Sequence, residues 1–341
     1  MPPSAPDPSG SPRAPEVTLE DAPPSSWPDL WAADPRATLF LHPRWMKALT
    51  RAYPSYRPRY LVARDHGDVV GLLPLVQTSR LGMHRILSLP FGTHGGPLLA
   101  ARAPAGTAPS LAREVLRLAT RPRTVRFEMT VYDPPAALRE ALEPSLGEFF
   151  QDFRTHVVDL TVSFRELWEH RYFKNTRNCV RMAERGGVTV AVERGREAVG
   201  LLARLYAEQS KGWAGIVPYP EEVLQAVVDT LGDDARIYVA RHEGKPLAAC
   251  FNLEHDGTEV HPWASGQDPE GRPLRAFHLL IHTAIKEAQE RGFKTWNFGG
   301  SGGIKKVEFF KESFAGRPVS VLRCFRVAGW RKRIGSRTEW D

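Results

Sequence analysis

Gly299-Gly300-Ser301-Gly302-Gly303 is followed at once by Lys305 and Lys306, and shortly by Lys311. Glycine lets a backbone approach a ligand closely, and lysines beside such a loop supply charge for an anionic group. A simple glycine turn is the alternative. His261, Trp263 and Ser265 alternate along a strand-like run, so a period of two turns all three to one side. There they form a proton relay with an aromatic wall for an acceptor, or they pack a core. Arg177 and Arg181 stand four residues apart on one helix face. Two guanidinium groups so placed clamp a phosphate, or they lie on a solvated face with Glu184. His278 and His282 share that spacing, but Phe277, Leu279, Leu280 and Ile281 surround them. With no third ligand apparent, no metal site is expected. The chain has no nucleophile elbow, Walker loop or His-Glu-x-x-His motif.

The elements that must position these residues read as α/β. The first half begins with a helix at Pro43–Ala52 and two strands, Tyr60–Ala63 and Val69–Val76, joined by a turn at residues 65–68. Strands at Arg85–Leu89, Val125–Met129 and Phe149–Phe153 and helices at Ser110–Arg121 and Pro135–Leu142 follow. From His156 the grammar restarts. After a strand at Val157–Leu160, Ser163 opens a long basic helix running to about Arg185, with Glu166 completing a capping box. Next come a strand at Val188–Val192, helices at Glu197–Gln209 and Glu221–Leu231, and three successive strands between Arg236 and Ser265. A helix at Leu274–Arg291, a strand at Thr295–Phe298 and a closing strand at Val319–Val327 complete the pattern. This is an α/β chain built on a mixed (α+β) sheet with an antiparallel meander, not a doubly wound nucleotide fold.

At 341 residues, with 42% hydrophobic and 25% charged residues, the chain is long enough for two cored domains. No stretch is apolar enough to cross a membrane, and the opening MPPSAPDPSGSPRAPE has no signal-peptide core. Residues 1–27 read as a disordered, dispensable leader. Three scattered cysteines, Cys179, Cys250 and Cys324, fit neither a disulfide framework nor a zinc site, which suits a cytoplasmic protein. The net charge of +7 favours a polyanionic partner such as tRNA or a CoA phosphate, or reflects a basic solvated surface. The basic residues concentrate in the helix around Arg171–Arg185 and in the tail from Arg317 to Arg337.

The run from Lys174 to Val188 resembles the R-x-x-x-R-x-A-E-K-x-G-V segment of FemABX-like proteins, tandem-domain relatives of the GNAT acyltransferases. Asn297-Phe298-Gly299-Gly300-Ser301 resembles their D-F-G-x-S stretch, and Phe310-Lys311-Glu312-Ser313-Phe314-Ala315-Gly316 their F-K-x-x-F-G stretch. Val70–Leu75, Ser88–Phe91 and Gly95-Gly96 are similar to their first domain, so the likeness spans residues 40–326 in order. It implies two tandem GNAT-like domains, 28–154 and 155–328, ahead of a basic tail at 329–341, with the second carrying most of the chemistry.

The implied reaction moves an acyl or aminoacyl group from an activated donor, acyl-CoA or aminoacyl-tRNA, to an amine on a small molecule or peptide. No tightly bound cofactor and no membrane insertion are expected. Such a reaction needs a dock for the donor, a hydrogen-bond donor for the tetrahedral oxyanion and a route for the amine proton. The resemblance assigns the oxyanion, or the donor's phosphates, to Lys311. Pairing with Glu308 or Glu312 is its structural alternative. Lys211 and Tyr219 stand where peptidoglycan-building relatives carry an arginine and a tyrosine, so a muropeptide acceptor is not expected. The loop Gly266–Ala276 occupies the pyrophosphate-binding place of GNAT enzymes but lacks their glycine spacing and carries two prolines, Asp268 and Glu270. That favours aminoacyl-tRNA over acyl-CoA. An inert tRNA- or protein-binding relative is the rival reading.

Overall fold

A computed structural model describes residues 14–91, 93–146, 150–211, 218–255 and 257–327. In the first half, β1 (Glu16–Glu20) lies along β2 (Arg57–Asp65), which turns into β3 (Asp68–Arg80) and then β4 (Met83–Ser88), all antiparallel. Between β1 and β2 come α1 (Trp27–Ala33), a 3-10 turn at Leu39–Leu41 and α2 (Pro43–Ala52). The short β5 (Leu98–Leu99) pairs with β3, and α3 (Thr107–Thr120) leads to β6 (Thr124–Tyr132), parallel to β4. Next are α4 (Ala136–Leu146) and β7 (Phe150–Asp159).

The second half has α5 (Phe164–Glu166), a π turn at Leu167–Arg171, α6 (Lys174–Arg185), β8 (Thr189–Glu193), α7 (Gly195–Ser210) and α8 (Glu221–Leu231). The antiparallel meander follows as β9 (Ala235–His242), β10 (Lys245–His255) and β11 (Glu259–Gln267). Last come α9 (Ala276–Glu290), β12 (Thr295–Gly300), α10 (Lys305–Ser313) and β13 (Arg317–Val327).

All described strands join one mixed sheet in the order β1-β2-β3-β4-β6-β13-β7-β12-β11-β10-β9-β8, with β5 beside β3. The final strand lies inside the sheet. It is inserted between β6 and β7, pairing antiparallel with both, and its Leu322 and Cys324 enter the core of the first half. The boundary expected at 154/155 falls inside β7, which also merges the two short strands expected there.

A second core is contributed by both halves. Trp27, Phe40, Trp45, Leu49, Tyr60 and Leu72 pack with Leu202, Leu224, Val239, Phe251 and Leu253. Tyr219 Oη ties this core across the halves by donating to the Phe91 carbonyl at 2.9 Å. The third core packs α9 against β7, β10 and β12.

Two further expectations are corrected. Residues 16–20, placed in a disordered leader, form β1, because Val17 and Leu19 have apolar partners over the sheet edge. Trp27 is 3% exposed and its indole N–H donates to the Leu41 carbonyl, so it belongs to the core. The long basic helix is broken. Ser163 caps α5 by accepting from the Glu166 N–H, as the capping box requires. The chain then leaves helical geometry at Tyr172 and Phe173 before α6 begins. Burying Tyr172, at 2% exposure, among Phe164, His282 and Phe314 requires that break. Of the basic tail, residues 328–341 lie outside the described residues.

Candidate active site

β11 and β12 run parallel and are in register only at Glu259↔Thr295 and Val260↔Trp296. Beyond those pairs the two strands part, and the gap is filled by side chains from both halves of the chain. His261 of β11 is 6% exposed and lies against Gly299, where an added Cβ would meet Cε1 at 3.1 Å and Nε2 at 3.2 Å. Gly299 has φ +70, so both its backbone conformation and this contact call for glycine. Phe40 meets His261 edge-on at 4.8 Å, and His94 does so at 5.7 Å, itself stacked on Tyr132 at 5.2 Å.

The loop that presents His94 is pinned by the Gly95-Gly96 pair. A Cβ on Gly95 would meet Ser88 Oγ at 2.4 Å, and one on Gly96, at φ +104, would meet Val131 at 2.8 Å. The Ser88 hydroxyl accepts from the Gly96 N–H at 3.1 Å.

Lys311, 6% exposed, comes to this gap from α10. Its Nζ donates to the carbonyls of Gly299 at 2.8 Å and Gly300 at 2.7 Å. An ammonium has three N–H groups, so one is left over for another acceptor. A second network locks the strand ends. Thr155 Oγ1 donates to Asn297 Oδ1 at 2.7 Å, which also accepts from the Gly299 N–H at 3.1 Å. Asn297 Nδ2 donates to Glu259 Oε2 at 3.1 Å. Five buried polar atoms here have no partner among the described residues: His94 Nδ1, His156 Nδ1, Glu259 Oε1, His261 Nδ1 and Ser301 Oγ. Unpaired buried polar atoms are uncommon in folded proteins, and a cluster of them marks a place where a ligand or water completes the bonding.

Burial sets the charge states. It lowers the Lys311 ammonium to about 7, with Glu308 opposing the shift. It lowers His94 to about 4, assisted by Lys311, and holds His261 well below the ordinary imidazole range, assisted by His94 and Lys311. It raises the Glu259 carboxyl to about 7 against the hydrogen bond from Asn297. At neutral pH the site therefore offers two neutral imidazoles, a carboxyl near its midpoint and a lysine that exchanges its proton readily. General acid–base work uses groups of this kind.

Of the residues singled out by sequence, the fold brings Lys311, His261, Gly299, Gly300 and Ser301 together. Trp263 lies one step along β11, stacked on Tyr219 at 4.5 Å within the core shared by the halves. Ser265 is not on that side. β10 meets β11 with a bulge that sets Phe251 opposite Ala264 and Asn252 opposite Pro262, leaving Trp263 as the extra residue. The bulge resets the alternation, so Ser265 sits opposite Cys250, whose side chain is in the core on the other face.

Arg177 is engaged within its own segment. Its Nη1 donates to the carbonyls of Trp168, Glu169 and Tyr172, closing the break before α6. Arg181 lies over the Trp168 ring at 5.4 Å. Lys305 is 90% exposed and bonds Glu308 at 2.8 Å, while Lys211 pairs with Glu208 on the surface. His278 and His282 pack among aromatic rings, and the described residues hold no group of three or more metal-ligating side chains.

The sequence did not single out His94, Glu259 or Thr155, and it offered Asn297 only as the first residue of the stretch that ends at Ser301. Glu259 had a signal, since it stands two residues before His261 on the same strand. His94 had none, because its partner lies 167 positions away and only the tertiary fold joins them.

The loop after β11 is also accounted for locally. A Cβ on Gly266 would lie 2.3 Å from the Leu205 carbonyl carbon, so this glycine lets α7 press on the sheet. Asp268 accepts from the Glu270 N–H at 2.9 Å, and Glu270 pairs with Lys245 at 2.6 Å.

Residues 170–312 match the acetyltransferase (GNAT) domain family. No curated protein matches the chain. Among solved structures, FemX is similar at 13% identity over 93% of this chain and 99% of its own, with a TM-score of 0.64. A tandem GNAT protein from the clavulanic acid biosynthesis pathway is 14% identical over 92% and 99%, with a TM-score of 0.57. L-PGS from Bacillus licheniformis is 16% identical over 92% and 96%, with a TM-score of 0.54. At such identities the likeness is one of fold: the chain folds like FemX and a tandem GNAT protein, and residues 170–312 match the acetyltransferase (GNAT) domain family.

Proposed function

We propose that this protein is an N-acyltransferase that works where β11 and β12 part, moving an acyl or aminoacyl group from an activated donor to an amine. The observation that carries the reading is Lys311, buried, with two donors spent on the Gly299 and Gly300 carbonyls and the third unspent. The acceptor nitrogen forms a bond to the acyl carbon, and the carbonyl oxygen takes the negative charge, which the Lys311 N–H stabilises in a water-poor site. The neutral His261 takes the proton that the nitrogen loses. The bond from the acyl carbon to the donor's oxygen or sulfur then breaks, and the leaving atom takes up a proton. Glu259, held by Asn297, fixes the end of β11 and shares the proton load. A water-excluding wall of Phe40, His94 and Tyr132 from the first half keeps hydrolysis from competing.

For the donor we favour aminoacyl-tRNA. In the segment Gly266–Ala276, Gly266 and both acids are committed to local structure, which supports the view that it does not cradle a pyrophosphate. Acyl-CoA is the second reading, favoured by the GNAT match over residues 170–312. Titration with acetyl-CoA and with charged tRNA at two salt concentrations separates them. Salt-sensitive tRNA binding is the expected result. Saturable micromolar acetyl-CoA binding without it would move the donor to CoA. Transfer of neither donor's acyl group would leave an inert binding relative instead.

A further inference from the structure

On the α10 side of the sheet, β7, β13 and α10 enclose a cleft of about 280 Å³ lined by Phe153, Arg154, His156, Lys305, Glu308 and Glu312, among others. Resting on the acyltransferase reading above, we propose that this cleft seats the acceptor as a free α-amino acid, its ammonium at Glu312 and His156 and its carboxylate at Arg154. The cleft holds one small molecule and carries both signs of charge. Glu308 and Glu312 stand four apart on one face of α10. Glu308 is already answered by Lys305 at 2.8 Å. Glu312 faces His156, with Oε1 at 3.5 Å from Nε2.

That histidine is 1% exposed, its Nδ1 has no partner, and burial together with the nearby Lys311 lowers its basicity. A carboxylate facing a neutral imidazole attracts a cation with N–H donors to give, which describes a primary ammonium. The Arg154 guanidinium at the rim offers the paired donors that suit a carboxylate. Phe153 and Pro318 supply an apolar wall for a modest side chain. Lys311 is near enough to His156 to lower its basicity, so an amine held here lies near the residue proposed to stabilise the oxyanion, and its ammonium gives one proton to the Glu312–His156 pair before the nitrogen attacks.

Calorimetric titration of the full chain, without any donor, tests this with three probes. L-alanine is expected to bind saturably. N-acetyl-L-alanine, which lacks the ammonium, and L-alaninamide, which lacks the carboxylate, should each bind about tenfold more weakly or worse. Glu312→Gln should remove the preference over N-acetyl-L-alanine, and Arg154→Gln the preference over L-alaninamide. Both side chains are partly exposed, so unchanged circular dichroism is expected of each variant. Equal affinity for the three probes, or no saturation by L-alanine at tens of millimolar, would overturn the proposal. Lys311-dependent consumption of an acyl donor is read separately. A protein that consumes donor but binds no alanine loses only the cleft assignment, and one that binds alanine but consumes no donor loses only the acyltransferase reading.

Discussion

Lys311 and Glu259 pull in opposite chemical directions from the same cause, burial without a full counter-charge. For Lys311, activity should decline as pH rises through about 7, because the ammonium that stabilises the oxyanion is lost there. A kcat–pH profile checks this, and a rate that climbs steadily to pH 9 would refute the ammonium role. Lys311→Met should cost on the order of 100-fold in rate yet keep a melting temperature within about 5 °C of wild type, since removing a buried charge offsets the lost hydrogen bonds. For Glu259, the carboxyl is raised from 4.5 to about 7. Between those values the native state binds more protons than the unfolded chain, so stability falls as pH rises through that window. Glu259→Gln carries no charge and escapes the fall. Relative to wild type, the variant should gain up to about 3 kcal/mol between pH 4.5 and 7. Urea titrations at several pH values measure the difference, and a constant difference between the two proteins would show that Glu259 titrates normally.

At the scale of elements, one glycine and a bulge shape the strand that carries His261. Gly266→Ala should destabilise by about 1–3 kcal/mol or more, because its Cβ would meet the α7 backbone rather than a flexible side chain. Thermal melting reads this directly, and an unchanged Tm would mean that α7 does not press on β11 there. The period-two reading of β11 predicted three residues on one side, and it held for His261 and Trp263. It failed at Ser265 because one extra residue opposite Phe251 and Asn252 resets the face. The Ser163 cap formed as read, with the Glu166 carboxylate turned to Arg171 instead, whereas the helix it was thought to open stops short. A local side-chain bond settles the cap. The burial of Tyr172 settles the stop, and that depends on residues more than 100 positions away.

For the whole molecule, the halves are tied by β13, by the shared core and by the gap that draws His94 and His261 together. Fragments cut at 154/155 should therefore not fold independently. The first would lack β13 and both would expose the shared core. Near-UV circular dichroism and urea unfolding of each fragment test this, and two separately cooperative transitions would contradict it. Deleting residues 14–22 should also lower stability rather than be neutral, since β1 covers the edge of β2.

What the sequence determined by itself was most of the elements from α2 onward, the mixed α/β class and the glycine-lysine run around Lys311. These follow from local periodicity, turn chemistry and motif order, which adjacent residues carry. What only the tertiary structure decided was which of the candidate residues meet. Arg177 and Arg181 had the right spacing for an anion, but backbone carbonyls and an indole ring claimed them. His94 had no spacing to mark it, and it reached the site because strands distant in sequence are neighbours in one sheet. A residue's chemistry is written in its type, but its partners depend on strand order, and strand order is set by burial summed over the whole chain.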